Sequence, residues 1–203
     1  MAGNVAELVA RACTALEAGG VVAFPTETFY ALGAAVARAD AVARVARLKG
    51  RTGAAPFPVL CADAAQAAGL ARGGALPAAA AKLAARFWPG RLTIVVPARA
   101  GLPAEIAGGG EVGVRVSAHP VARALCAAAG PLVGTSANRS GAAPAARAAD
   151  VQAAFGADVE LIVEWDEGVE GKEPSTVVRA GPALEVLRAG AVAAADLVAA
   201  LAA

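Results

Sequence analysis

Residues 19 to 33 read Gly-Gly-Val-Val-Ala-Phe-Pro-Thr-Glu-Thr-Phe-Tyr-Ala-Leu-Gly, and the reading of this stretch decides the fold. Gly19 and Gly20 stop a preceding helical segment. Val21 to Phe24 form a short apolar run of strand type. Pro25 removes a backbone donor and fixes φ, so the strand cannot simply continue. Thr26, Glu27 and Thr28 then place three polar side chains at the end of a buried strand, where burial is costly unless each finds a partner. Two readings stand side by side. The three residues serve a ligand, or they form a polar turn that caps the next element.

A second segment of the same design favours the ligand. Residues 131 to 141 read Pro-Leu-Val-Gly-Thr-Ser-Ala-Asn-Arg-Ser-Gly. An apolar run again leads into hydroxyls and an amide: Thr135, Ser136, Asn138 and Ser140. Gly134 and Gly141 allow close backbone approach. Lys49 and Arg51 set two cations two residues apart at the end of a helical pattern. Ser175 and Thr176 put hydroxyls at the start of a strand, and Arg188 lies within an apolar run. Hydroxyls, an amide and fixed cations at strand ends suit a phosphate and an amino acid. Taken singly, each has a plainer reading. Lys49 and Arg51 would make a solvated helix end favoured by the dipole, and Arg115 or Arg188 an exposed alternate residue of a strand.

Taken in order, these pieces resemble the YrdC-like family of threonylcarbamoyl-AMP synthases. The family strings Pro-Thr-Glu-Thr-x-Tyr-Gly-Leu-Gly, Lys-x-Arg, Trp-Pro-Gly-x-Leu-Thr, Val-x-Val-Arg, Ser-Ala-Asn-x-Ser-Gly, Ser-Thr-Val and Leu-Arg-x-Gly have counterparts here. They fall at Pro25 to Gly33, Lys49 to Arg51, Trp88 to Thr93, Val112 to Arg115, Ser136 to Gly141, Ser175 to Val177 and Leu187 to Gly190. The resemblance spans nearly the whole chain, and the ordered set is specific where Lys-x-Arg alone means nothing. It implies one domain over residues 1–203, of the short form without the extra C-terminal domain of longer synthases. It also implies a mixed α/β fold, with a twisted mixed sheet flanked by helices and a concave substrate-binding face.

Composition agrees with a compact enzyme domain. At 203 residues the chain is long enough to bury a sizeable core. The hydrophobic fraction of 58% is swollen by alanine and only 4% is aromatic, so the core must be built from Val, Leu and Ala. A formal net charge of +1 gives no global drive toward nucleic acid. Cys13, Cys61 and Cys126 are distant, odd in number and apolar in context, which reads as reduced thiols in a cytoplasmic protein. His119 is the sole histidine, so a transition-metal site is not expected. No secretory signal opens the chain, and the C-terminal apolar run is too short to span a bilayer.

The pattern predicts alternating elements. Asn4 caps a helix to about Ala18, and Asp40 caps one ending near Lys49. Asp63 caps another, Leu76 to Phe87 form one with Pro77 in its first turn, and Pro120 opens one that ends before Gly130. A helix within residues 142–157 ends at Gly156, and a terminal helix follows Ala191. Strands are expected at Val21 to Phe24, Pro58 to Cys61, Leu92 to Val96, Val112 to Val116, Leu132 to Thr135, Val159 to Val163, Ser175 to Arg179 and Leu184 to Leu187. Such interspersed helices and strands build a layered α/β architecture.

Two standard motifs fail their own context. Gly108 to Gly113 matches Gly-x-Gly-x-x-Gly, but it leads into a strand and opens no helix after one. Gly134 to Asn138 sits after a strand like a nucleophile elbow, yet the only histidine precedes the serine.

The resemblance implies condensation of L-threonine, bicarbonate or CO2 and ATP to threonylcarbamoyl-adenylate and pyrophosphate. Downstream threonylcarbamoyl-transferase proteins would carry the product to tRNA, with no membrane involved. The carbamate of threonine would attack the α-phosphorus, so no enzyme nucleophile is needed. Catalysis would be by positioning and fixed charge. By the resemblance, Lys49, Arg51, Ser136, Asn138 and Arg188 hold the nucleotide, with Lys49 and Arg51 stabilising charge. Thr26, Tyr30, Arg115, Gly134 and Ser175 form the threonine pocket, Arg115 taking the carboxylate. Mg²⁺ would accompany ATP, held mainly by phosphates and water. The chain departs from the family at Ala31, where Gly is usual, at residues 52–57, and at Glu111, where a small hydroxyl residue is usual. A carboxylate at position 111 would oppose phosphates unless turned away. Two other readings share the resemblance: a paralogue binding nucleotide or RNA without making the adenylate, and a carbamoyl-transfer relative.

Overall fold

The computed structural model describes residues 5–50, 55–165, 169, 172–181 and 183–202. Helices α1 (Val5–Glu17), α2 (Ala39–Lys49), α3 (Ala64–Ala68), α4 (Ala78–Phe87), α5 (Ala104–Ala107), α6 (Pro120–Ala129), α7 (Ala148–Phe155) and α8 (Ala194–Ala202) alternate with ten strands. These are β1 (Val22–Pro25), β2 (Tyr30–Gly33), β3 (Val59–Cys61), β4 (Leu92–Pro97), β5 (Glu111–Val116), β6 (Leu132–Val133), β7 (Thr135–Ser136), β8 (Leu161–Ile162), β9 (Thr176–Ala180) and β10 (Leu184–Arg188). They pair as a four-stranded sheet, β7-β2-β1-β8, and a six-stranded sheet, β10-β9-β4-β5-β3-β6, both of mixed direction.

The quoted opening segment folds as a hairpin. Pro25 does end β1, but residues 26–29 turn the chain back and β2 pairs antiparallel, Pro25 facing Tyr30 and Val22 facing Gly33. Thr26 closes the turn: its hydroxyl donates to the Phe29 carbonyl at 2.6 Å and accepts from the Thr28 and Phe29 amides. The polar-turn reading of Thr26 therefore holds, and β2 is a strand that the sequence pattern did not predict. Gly33 is required by the hairpin's packing, because a Cβ there would overlap the Phe24 ring and sit 3.1 Å from the Val133 carbonyl.

The expected Leu132 to Thr135 strand is two strands. Leu132 and Val133 pair with β3 in the larger sheet, and Thr135 and Ser136 pair with β2 in the smaller one. Gly134 is the crossing point. A Cβ on it would overlap Leu60 Cγ and lie 2.7 Å from Leu60 Cδ1, so only glycine lets the chain change sheets against that side chain.

Helix boundaries follow their chemistry, with one correction. Asp63 caps α3, accepting from the Gln66 amide at 2.8 Å. Pro120 opens α6, and Gly130 ends it with φ of 82°. His119 caps α6 through Nδ1, which accepts from the Val121 amide at 3.2 Å, and its ring meets Trp165 edge-on at 5.0 Å. Asp40 is not the cap of α2. It lies inside the first turn, where its carboxylate pairs with Arg38 at 3.0 Å. Asn4 lies outside the described residues.

The core is aliphatic and small-residued, as the composition requires. Two clusters form around the sheets. One holds Leu16, Phe24, Leu60, Leu125 and Leu132 between α1, α6 and the sheets. The other is built on Leu32, Leu83, Leu92, Ile94 and the core-facing side of β5, Val112 and Val114. Full burial contributes about 1.5–3 kcal/mol per large aliphatic side chain. The alanines let helices approach closely but contribute little area each.

A cation-lined cavity on the concave sheet face

The three central strands of the larger sheet alternate strictly. Val112, Val114 and Val116 of β5 point into the core, while Glu111, Gly113 and Arg115 point the other way. Thr93 and Val95 of β4, with Val177 and Arg179 of β9 and Ser175 just before it, join them on that face. Together these residues line a cavity of about 790 Å³, a size suited to a nucleotide-sized ligand. Arg115 and Glu111 are four residues apart on one strand, roughly 13 Å. The floor therefore has a polar end at Arg115, Thr93 and Ser175, an apolar middle at Val95, Gly113 and Val177, and a second polar end at Glu111 and Arg179.

Lys49, Gly134, Ser136 and Asn138 line the same cavity from α2 and the chain around β7. Lys49 is the last residue of α2, where the helix dipole favours a cation, and it is only 3% exposed. Its ammonium donates to the Ser136 carbonyl at 2.6 Å and to Asn138 Oδ1 at 3.0 Å. Ser136 Oγ donates to the same Oδ1 at 2.6 Å. The Asn138 amide nitrogen donates to the Arg139 and Ala142 carbonyls. Asn138 thus uses all four of its hydrogen-bonding sites within the protein. It braces Lys49 and Ser136, and a direct contact with a nucleotide would require one of these bonds to open. Ser136 has no base. Its hydroxyl is committed to an amide oxygen, and His119, spent on the α6 cap, is not among the residues that line the cavity.

The Arg115 end is a buried network. The Arg115 guanidinium pairs with Glu27 at 2.7 Å, the two side chains being 8% and 13% exposed. Its Nε donates to the Gly90 carbonyl at 3.0 Å, in the Trp88-Pro89-Gly90 turn that contains a cis peptide bond. Both terminal nitrogens reach Thr28 Oγ1 at 3.4–3.5 Å, and Thr28 Oγ1 bonds Thr26 Oγ1 at 3.0 Å. Ser117 donates to the other Glu27 oxygen. Burial pushes the Glu27 carboxyl up, but the Arg115 charge and the hydrogen bonds from Arg115 and Ser117 outweigh it. The group lies below the usual carboxylate value. Burial holds the nearby His119 imidazole below its ordinary value, against the pull of Glu27.

Arg188 donates to the Ser175 carbonyl at 2.7 Å and to Ser175 Oγ at 3.0 Å, and Ser175 Oγ bonds Thr93 Oγ1 at 3.0 Å. Gly190 makes this possible. A Cβ on it would lie 2.7 Å from Ser175 C and Thr176 N, so glycine lets the strand end lie flat on that backbone. At the far end, Arg179 forks onto Glu111, Nε to Oε1 at 2.9 Å and a terminal nitrogen to Oε2 at 2.8 Å, and its other terminal nitrogen donates to Glu185.

Thr26, Tyr30, Lys49, Arg115, Gly134, Ser136, Asn138, Ser175 and Arg188, all expected at the site, line this one cavity. Arg51 lies outside the described residues, as do residues 52–54 of the departing segment. Ala31 lines the cavity beside Ser136, its β7 partner. The sequence pattern did not assign Thr93, Ser117 or Arg179, and it singled out Glu27 and Thr28 only as ligand-serving or turn residues. Period-two alternation from Arg115 and Ser175 would have reached Arg179, whereas the Glu27 and Ser117 contacts have no local signal.

The architecture and site define a mixed α/β domain with a cation-lined, ligand-sized cavity on its concave sheet face. The chain belongs to the Sua5/YciO/YrdC family, whose model, described as telomere recombination, matches residues 14–190. It is 43% identical over 183 residues to the threonylcarbamoyl-AMP synthase of Halorhodospira halophila, covering 89% of this chain and 93% of the relative. It is 43% identical over 165 residues to that of Thiobacillus denitrificans, covering 80% and 86%. Among solved structures, P. abyssi Sua5 complexed with L-threonine matches with a TM-score of 0.89 at 32% identity. That match covers 97% of this chain and 58% of the other, so this chain spans little more than half the length of that protein. E. coli YciO, at 24% identity and a TM-score of 0.82, shares the fold over 92% of this chain.

Proposed function

We propose that this protein is a threonylcarbamoyl-AMP synthase, a nucleotidyltransferase that condenses L-threonine, bicarbonate or CO2 and ATP to threonylcarbamoyl-adenylate and pyrophosphate. The observation that carries the reading is the one cavity that gathers the buried Lys49–Asn138–Ser136 brace and the Arg115–Thr93–Ser175 end, with no nucleophile–base pair among the described residues. Relatives named for this activity cover most of the chain, and a structure with L-threonine has the same fold.

The chemistry asks the protein for position and charge. The threonine amine adds to bicarbonate or CO2, giving a carbamate; with bicarbonate, water leaves. A carbamate oxygen attacks the α-phosphorus and pyrophosphate departs. Two anionic reactants must be held in line, and such orientation can supply about 7–11 kcal/mol of the barrier. Lys49, braced by Asn138, and Arg188, fixed on Ser175, offer cations for the phosphates, joined by Arg51. Arg115 receives the threonine carboxylate. Because Glu27 already balances it, the gain comes from directed N–H groups more than from net charge. Thr26, Tyr30, Gly134 and Ser175 shape the threonine pocket. Among the described residues no group of three His, Cys, Asp or Glu side chains is placed to hold a metal ion, so Mg²⁺ would come with the triphosphate. Transferase proteins acting on tRNA would consume the adenylate in the cytoplasm. No helix among the described residues is long and apolar enough to cross a membrane.

The test is pyrophosphate release from ATP, which should need L-threonine and bicarbonate together. Serine should be the poorer substrate by roughly tenfold, since one methyl in a fitted niche is worth about 1–3 kcal/mol. Turnover of carbamoyl phosphate without threonine would move the assignment to carbamoyl transfer. Tight RNA binding without ATP binding would make the protein a binding module.

A further inference from the structure

We propose that the protein carries a second anion site, outside the substrate cavity, where Arg72 and Arg99 bind a compact free oxyanion of the phosphate or pyrophosphate class. The site is a separate cavity of about 410 Å³ whose lining includes Arg72, Arg99, Gly101, Leu102 and Gly110. None of the described residues that line it also lines the substrate cavity. The segment 107–111 adjoins both, Gly108 and Glu111 lining the first cavity and Ala107 and Gly110 the second.

Backbone pairing brings the two arginines together. The chain runs on past the end of β4, and Ala98 forms an antiparallel bridge with Ala71. The Arg99 amide donates to the Leu70 carbonyl at 2.9 Å, and the Ala98 amide donates to the Gly110 carbonyl at 2.8 Å. Three chain segments therefore lie side by side at this end of the sheet. Arg99 stands opposite Leu70, and Arg72 lies two residues further along, a diagonal of about 7–8 Å between backbones. From that separation two arginine side chains converge on one phosphate or straddle a diphosphate.

Arg38, Arg44, Arg115, Arg139 and Arg179 each pair with a carboxylate. Arg72 and Arg99 differ. Among the described residues neither side chain has an ion pair or a hydrogen bond, and no acidic residue lines their cavity. Two like charges held close by the backbone repel each other, and an anion between them removes that repulsion. Gly101 and Gly110 take a φ of 80°, and a Cβ on either would meet nothing within 4 Å. The turns therefore leave open space beside the guanidinium groups. A small oxyanion suits this site better than a polynucleotide does. Two cations release few counterions from a nucleic-acid backbone, and a net charge of +1 adds no long-range attraction. Pyrophosphate concentrates its charge within reach of both forks, and arginine binds phosphate oxygens bidentately.

The test is site-resolved NMR on the full chain. Pyrophosphate, orthophosphate and a short single-stranded RNA are titrated separately into isotope-labelled wild type, Arg72→Gln, Arg99→Gln and Lys49→Gln. The backbone amides of Arg99, Gly101, Leu102 and Gly110 are followed. Both arginines are exposed, so the variants should keep the dispersed spectrum of the folded protein. Pyrophosphate should shift these amides saturably, orthophosphate more weakly, and added salt should weaken both. Each arginine variant should lower pyrophosphate affinity at these amides by about tenfold. Lys49→Gln, which alters the substrate cavity, should leave it unchanged. Shifts that never saturate, or an affinity that survives in both arginine variants, would overturn the proposal. Loss of the shifts in Lys49→Gln would overturn it too, because they would then be transmitted from the substrate cavity. So would an RNA that shifts the same amides at a lower phosphate concentration than pyrophosphate does, since a nucleic-acid backbone would then be the ligand.

Discussion

Arg115→Ala separates the two things that this side chain does. Arg115 and Glu27 are nearly buried and paired at 2.7 Å. Removing one partner of a buried pair leaves an uncompensated charge and costs about 3–5 kcal/mol. For a chain of this length, 1 kcal/mol corresponds to about 2–4 °C in Tm, so melting should fall by roughly 10 °C at pH 7. The sign with pH follows from Glu27. Its carboxyl lies below its ordinary value because Arg115 and Ser117 outweigh burial. The pair's contribution is therefore fully present above the unfolded carboxyl pKa and is lost as pH falls through the lower folded one. In Arg115→Ala burial acts with less opposition and the carboxyl moves up. The wild-type and variant melting curves should then converge as pH is lowered from 7 toward 3. Threonine KM should rise more than ATP KM, and Arg115→Lys should recover stability before it recovers threonine affinity, since an ammonium cannot reach Glu27, Gly90 and Thr28 together. A variant that melts like the wild type at pH 7, or a melting gap that stays constant across that pH range, would refute the assignment of a buried compensated pair.

Asn138→Ala should raise ATP KM by roughly tenfold or more with a modest change in Tm, because it removes the acceptor shared by Lys49 and Ser136; steady-state kinetics checks it. Ser136→Ala should retain partial turnover, and wild-type Ser136 should take up no fluorophosphonate label by mass spectrometry, since its hydroxyl faces an amide oxygen and no base. Gly134→Ala should destabilise by about 1–3 kcal/mol in denaturant melts, as the new methyl overlaps Leu60 and strains the sheet crossing. In the folded protein at pH 8, alkylation should be confined to Cys13. Burial pushes the Cys61 thiol up, and the Cys126 thiol up to about 12.

The sequence made most of the helices legible because their ends carry local chemistry. Asp63, Pro120 and Gly130 act on backbone groups within one turn. It misled at Asp40, where a carboxylate two residues from Arg38 found that guanidinium in place of an amide. It missed β2, because a proline that stops a strand says nothing of a chain that turns and returns four residues later. It also merged β6 and β7, since the switch between sheets depends on Leu60, which is distant in sequence. The site shows the same division. Lysine, arginine and hydroxyl positions were readable as polar groups out of place at strand ends. The partners that orient them, Glu27 for Arg115 and Asn138 for Lys49, are tertiary facts: Glu27 lies 88 positions from Arg115 and Asn138 lies 89 from Lys49.

The motifs that carry the family resemblance are specific as a set because they are contacts of one another. The glycine of the Leu-Arg-x-Gly string lies against the backbone of the Ser-Thr-Val string, which is how Arg188 reaches Ser175. The Gly90 carbonyl of the Trp-Pro-Gly string accepts from Arg115 of the Val-x-Val-Arg string, and Arg115 is gripped by Glu27 and Thr28 of the opening segment. Lys49 of the Lys-x-Arg string is braced by Asn138 of the Ser-Ala-Asn string. Lys49, Arg115 and Arg188, the cavity-facing cations that belong to these strings, are therefore each fixed by residues from another string. This is what catalysis by positioning needs: the donors stand in place before the substrates arrive, so little reorganisation remains for the transition state. A single substitution in any string should act on the site through its partner string, so paired substitutions across strings should be strongly non-additive, while equally conservative pairs placed within α1 and α8 should add.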